Sequence, residues 1–163
     1  MATPTNLPPA EVAFTPLAAS WLNDLRGAFR ILQVVQTSHA TETVTTSTAY
    51  ISTGLTATIT PQSTTSRVLA FVTMPTEKTT ASVFSGAFVG LFRGGVGGSI
   101  LIENLLYSEQ QIVSTLAMNW LDSPNTTSAQ TYTVGIKTNS AAVTVKSCPI
   151  GMRASLVLCE VSA

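Results

Sequence analysis

From Phe29 onward the chain alternates between apolar and polar residues with a period of two, broken by clusters of turn-forming residues. "GLTATIT" is the cleanest case: it places Leu55, Ala57 and Ile59 on one face and Thr56, Thr58 and Thr60 on the other. "AQTYTVGIK" repeats the pattern, with Tyr132, Val134 and Ile136 inward and Thr131, Thr133 and Lys137 outward. "RVLAFVTM" is a continuous apolar run and reads as a central strand covered on both faces. Further strands fall on "FRILQVVQT", "ETVTTSTAYIS", "SVFSGAFVGLF", "SILIENLLYS", "IVSTLAMNW", "AAVTVKS" and "RASLVLCEVS", separated by "PQSTTS", "PTEKTT", "RGGVGG", "EQQ" and "LDSPNTTS". Nine or ten strands follow one another at short intervals with no helical crossover. That is the pattern of an all-β protein, an antiparallel β-sandwich or jelly roll.

The first residues break this pattern. Pro4, Pro8 and Pro9 with uncharged neighbours predict an extended arm. In "TPLAASWLNDLRGAFR" Thr15 can cap, Pro16 suits the first helical position and Gly27 supplies the stop. Leu17, Ala18, Trp21, Leu22 and Leu25 share one face of a short amphipathic helix of about 11 residues, too short to persist alone in water. Its apolar stripe needs a cover: its own domain, the same helix of other subunits, or a partner. The expected organisation is an anchor over residues 1–28 and a β-sandwich over 29–163.

Composition narrows the function. The chain has 163 residues, enough for one domain, and only 10% are charged. Thr and Ser, about a quarter of the chain, stand in for charge on the outer strand faces. Lys+Arg and Asp+Glu balance at 8 each, without the basic stripe that nucleic acid would require. No run approaches the ~20 apolar residues of a membrane span, so membrane insertion is not expected. "MATPTNLPPAEV" has neither the basic nor the apolar region of a secretory signal, which implies synthesis in a cytoplasm.

Catalytic vocabulary is sparse. His39 is the one histidine and reads as a loop residue without an activated serine motif. The eight carboxylates are spread one per element; Glu103 and Glu160, inside apolar strands, are expected to meet Arg67, Arg93 or Arg153 as cross-strand pairs. "FRGGVGGS" lacks the lysine and the strand-to-helix setting of a phosphate loop and reads as a hairpin. Cys148 and Cys159 have no metal-ligand spacing; Cys159 reads as a half-buried thiol, with a cross-strand disulfide as the alternative. No enzyme signature, cofactor or metal is expected.

"ILQVVQTS", "TSTAYISTGLTATITPQSTTSRVLAFVTM" and "LDSPNTTSAQTYTVGIKT", with the apolar C-terminal strand, resemble a β-rich surface module of tailed-bacteriophage virion proteins over about residues 31–163. "LPPAEVAFTPLAASWLNDLRGAFR" is similar to the attachment segment that opens some phage structural proteins. The resemblance implies a non-enzymatic virion protein, made in the host cytoplasm and placed on the virion surface. Its partners would be itself, as a homotrimer, and other virion proteins such as the major capsid protein. A capsid decoration or cement protein would be anchored through Leu17, Trp21, Leu22 and Leu25. A short tail-fibre or tail-tip protein would instead recognise host surface glycans through rim loops carrying Arg93, Asp122, Asn125 and Asn139, with Tyr107 and Trp120 as stacking candidates.

Overall fold

The computed structural model describes residues 30–79 and 85–162. The expected arm and helix, with Leu17, Trp21, Leu22 and Leu25, lie outside them. The strands are β1 (Ile31–His39), β2 (Thr43–Thr45), β3 (Ile51–Ile59), β4 (Arg67–Lys78), β5 (Ser85–Arg93), β6 (Ser99–Ser108), β7 (Ile112–Asp122), β8 (Gln130–Thr138), β9 (Val145–Ser147) and β10 (Ala154–Val161). A single 3-10 turn, Pro149–Gly151, is the helical element among the described residues.

Two antiparallel sheets face each other. In the first, β1 pairs with β10 and β10 with the N-terminal half of β4, while β7 runs along the whole opposite side of β4. Where β10 leaves off, the short β9 takes over against Thr76–Lys78 and carries β2 beyond it. The second sheet has the order β3-β8-β5-β6. Setting β2 and β9 aside leaves eight long strands in chain order. The first sheet then reads first, eighth, third, sixth, and the second reads second, seventh, fourth, fifth. This interleaving of two Greek keys is a jelly roll.

The core is the layer between the sheets. Leu55, Ala57 and Ile59 of β3, Ala87, Val89 and Leu91 of β5, and Tyr132, Val134 and Ile136 of β8 face Val68, Ala70, Val72 and Met74 of β4 and Ala154, Leu156 and Leu158 of β10. The inward residues read from the alternation of β3 and β8 are those found in the core. Two expectations change. The outer face of β4 is not covered at Phe71 or Thr73, because no described element lies over that side of the first sheet; both faces close only from Pro75 to Lys78. Thr133, expected outward and wet, is buried on the outer face of the second sheet, where the Phe92 ring stands beside it.

That outer cover depends on two glycines. Gly90 and Gly135 are direct partners on β5 and β8. A Cβ on Gly90 would come within 3.0 Å of the Tyr50 and Phe92 rings, and one on Gly135 within 2.8 Å of Val96. The missing side chains make room for an edge-to-face contact of Tyr50 with Phe92, centroids 4.8 Å apart.

The start of β1 and the end of β10 are pinned together at one pole. The Ser162 N–H donates to the Arg30 carbonyl at 2.9 Å. Beside it Glu160 is fully buried and accepts from the Gln33 amide at 2.6 Å and the Gln62 N–H at 2.7 Å. Burial alone would push this carboxyl up. The Gln33 amide, the Ser66 hydroxyl and the Gln62 and Ser63 N–H groups outweigh burial and hold it below the usual carboxylate range. The arginine partner expected for Glu160 is replaced by amide and hydroxyl donors, because Glu160 points inward beneath the β3–β4 loop while Arg67, opposite Val161, lies on the outer face.

A folded pKa below the unfolded one gives stability that is complete above the unfolded value, about 4.3, and is lost as pH falls through the folded value. Glu160→Gln is expected to cost about 1–3 kcal/mol at neutral pH and to flatten the acid limb of a stability–pH profile measured by urea titration. An unchanged acid limb would contradict the assignment. Leu156→Ala in the interlayer is expected to cost about 2–5 kcal/mol, against about 0.5 or less for exposed Thr115→Ala.

Candidate functional site

The alternating strand directions sort the loops between two poles. The β3–β4, β5–β6 and β7–β8 loops gather at the pole where β1 begins, and the β6–β7 and β8–β10 connections lie at the other. Of the four rim-loop residues, Arg93, Asp122 and Asn125 come together at the first pole, whereas Asn139 sits at the second. There the Asn139 side-chain oxygen accepts the Gly86 N–H at 2.9 Å.

Arg93 and Asp122 are joined to each other. One guanidinium nitrogen lies 3.0 and 3.2 Å from the two carboxylate oxygens and 3.5 Å from the Ser123 carbonyl. The Tyr132 hydroxyl, wholly buried, donates to the same carboxylate at 2.8 Å. Burial first, then the bond to Asp122 and its negative charge, push the Tyr132 phenol far above its ordinary range, so it stays a donor. This triad ties β5, β7 and β8 across the two sheets. Above it the β5–β6 loop turns tightly: Gly94 has φ 88°, and a Cβ on Gly98 would strike the Arg93 carbonyl at 2.3 Å. Asn125 remains exposed at the tip of the neighbouring loop in a left-handed conformation, φ 53°.

On the outer face of the second sheet Glu103 lies 3.1 Å from Lys137 and accepts the Tyr50 hydroxyl, so its partner is a lysine and not the expected arginine. The Lys137 ammonium also stands 4.4 Å from the Tyr50 ring centroid and 4.9 Å from that of Phe88. Sequence reasoning missed this cluster, although isolated glycines within strand patterns, Gly90 and Gly135, signal close approach. Tyr107 and Trp120 are both half-exposed along the β6 and β7 edges.

His39 is the last residue of β1 rather than a loop residue, and its ring lies over Gly54. Cys148 and Cys159 are free and buried, and burial pushes the Cys148 thiol up, away from reactivity. No group of three metal-ligating side chains occurs among the described residues.

The largest unexplained feature is apolar. On the outer face of the first sheet Val34, Cys159, Leu69 and Leu121 form one row across β1, β10, β4 and β7. Gln36, Val157, Phe71 and Asn119 form the next, and Ile31, Val161 and Arg67 flank the first row on its other side. Ile31 is 61% exposed, Val34 57%, Leu121 45% and Phe71 44%. Towards the opposite pole the same face turns small and polar, with Ser38, Ser155, Thr73 and Ala117 in a row. Tyr132→Phe, which strips the buried donor from Asp122 without touching this face, is expected to cost about 1.5–3 kcal/mol in thermal or urea unfolding. A change below about 0.5 kcal/mol would mean that Arg93 alone holds the carboxylate.

No protein-family model matches the chain, and no curated protein matches it. Solved particles of infectious bursal disease virus do. The T13 viral particle matches with a TM-score of 0.42 at 13% identity, over 79% of this chain and 37% of that one. The VP2 subviral particle matches with a TM-score of 0.35 at 13% identity, over 79% and 39%. The chain thus spans less than two thirds of the length of the particle proteins that it matches.

Proposed function

We propose that the chain is a non-enzymatic structural subunit of a virion: a capsid decoration or cement protein of a tailed bacteriophage, set on the particle surface and attached through residues 1–28. The observation that carries this reading is the jelly-roll strand order, an architecture shared by viral capsid and lectin domains. The step from fold to role is analogy, reinforced by the resemblance of "STGLTATITP" and "SPNTTSAQTY" to phage surface modules.

The chemistry of the described residues supports a passive role. Asp122, Glu103, Glu77 and Glu160 are each engaged in structural pairs: with Arg93, with Lys137, with Lys146 at 3.4 Å, and with the amide donors above. Zero formal net charge with so few charged residues weakens repulsion between copies, which suits a subunit packed beside its neighbours. The proposed partners are two further copies, as a trimer, and the major capsid protein. Asn125, exposed beside the tight β5–β6 turn, favours a second reading in which that pole touches host glycans as a short fibre or tail tip.

Removing residues 1–28 is expected to leave the β-sheet circular dichroism intact and to abolish co-sedimentation with purified phage particles, while the full chain co-sediments. A truncated chain that still binds particles overturns the anchor.

A further inference from the structure

The exposed apolar rows of the first sheet lie at the pole where the chain enters the sandwich. The Arg30 N–H is held by the Ser162 hydroxyl at 3.1 Å, and the next residue, Ile31, already belongs to the patch. Four strands at a spacing of about 4.8 Å make the patch about 14 Å wide, and its three rows run for about 14 Å along the strands. A helix of about 11 residues is about 16 Å long and 10 Å across, so one such helix would cover it.

The sequence pattern predicts one. Leu17, Trp21, Leu22 and Leu25 fall on one side of residues 15–26, with Ser20 and Asn23 opposite. Only residues 27–30 separate this segment from β1, and four residues span at most about 14 Å. Links this short seat consecutive elements against each other. We propose that residues 15–26 pack their Leu17, Trp21, Leu22 and Leu25 stripe on the outer face of their own first sheet, over Val34, Leu69, Phe71 and Leu121. Both surfaces are mainly apolar: among the patch rows only Gln36, Asn119 and Arg67 are polar, and Arg67 is the one charge. The proline-rich residues 1–14 then leave the sandwich from a fixed point, free to reach a neighbouring subunit. This docking goes beyond the particle role and stands or falls without it.

The test uses purified full-length chain with no particles present. Leu22→Cys combined with Phe71→Cys is oxidised, free thiols are blocked, and the products are separated by non-reducing denaturing electrophoresis beside each single variant. More than half of the double variant is expected as an intrachain disulfide of monomer mass. Disulfide-linked dimers would put the segment on another copy and overturn the proposal, as would the absence of any cross-link specific to the pair. A second readout does not depend on new cysteines. With Trp120→Phe leaving Trp21 as the sole indole, Phe71→Asp is expected to red-shift its emission and raise its acrylamide quenching at least twofold. A Trp21 already as quenchable as free tryptophan, or one unmoved by Phe71→Asp, overturns the docking.

Discussion

The contact between the inner faces of the two sheets is the interaction on which the rest of the molecule depends. Each sheet buries one face in it, and the long strands of one are held to the other mainly by apolar packing. Leu55, Ile59, Leu91 and Ile136 on one side meet Val72, Met74, Leu156 and Leu158 on the other. Each such side chain contributes about 1.5–3 kcal/mol, set against a conformational entropy cost of similar total size. β4 is the spine of this layer: it is the longest strand and pairs with three others, β10 and β9 on one side and β7 on the other.

Apolar packing alone does not fix which end of each strand lies where. Polar groups at the pole do that. Glu160 binds the β3–β4 loop and β1 together, and Arg93, Asp122 and Tyr132 lock β5, β7 and β8. Buried carboxylates are costly unless fully paired, so a shifted register would leave them uncompensated. Their value lies in excluding alternative registers as much as in stabilising the correct one.

Local pattern made the strands legible. The alternation in β3 and β8 names their core residues outright, since a period of two needs only neighbouring positions. What escaped depends on distance along the chain. Glu160 meets Gln33 and Gln62, which are remote in sequence, so no spacing rule could replace the expected arginine with them. Asn125 and Asn139 look alike as loop residues, yet strand direction sends them to opposite poles. β4 has the composition of a strand buried on both faces, but its surroundings leave Phe71 half-exposed. Of the candidate site, the Leu17, Trp21, Leu22 and Leu25 stripe is an expectation from sequence, whereas the apolar patch on the first sheet emerges only when four strands are laid side by side.

The proposed attachment role rests on a low-charge jelly roll in which Asp122, Glu103 and Glu77 are each paired with a basic side chain and an apolar face lies beside the start of β1. The most direct test of the proposed role is a cryo-electron-microscopy map, at a resolution that traces β-strands, of the particle that carries this chain. A decoration or cement role predicts density for this sandwich at every equivalent position of the capsid shell. Density confined to the tail, or found nowhere on the shell, contradicts it.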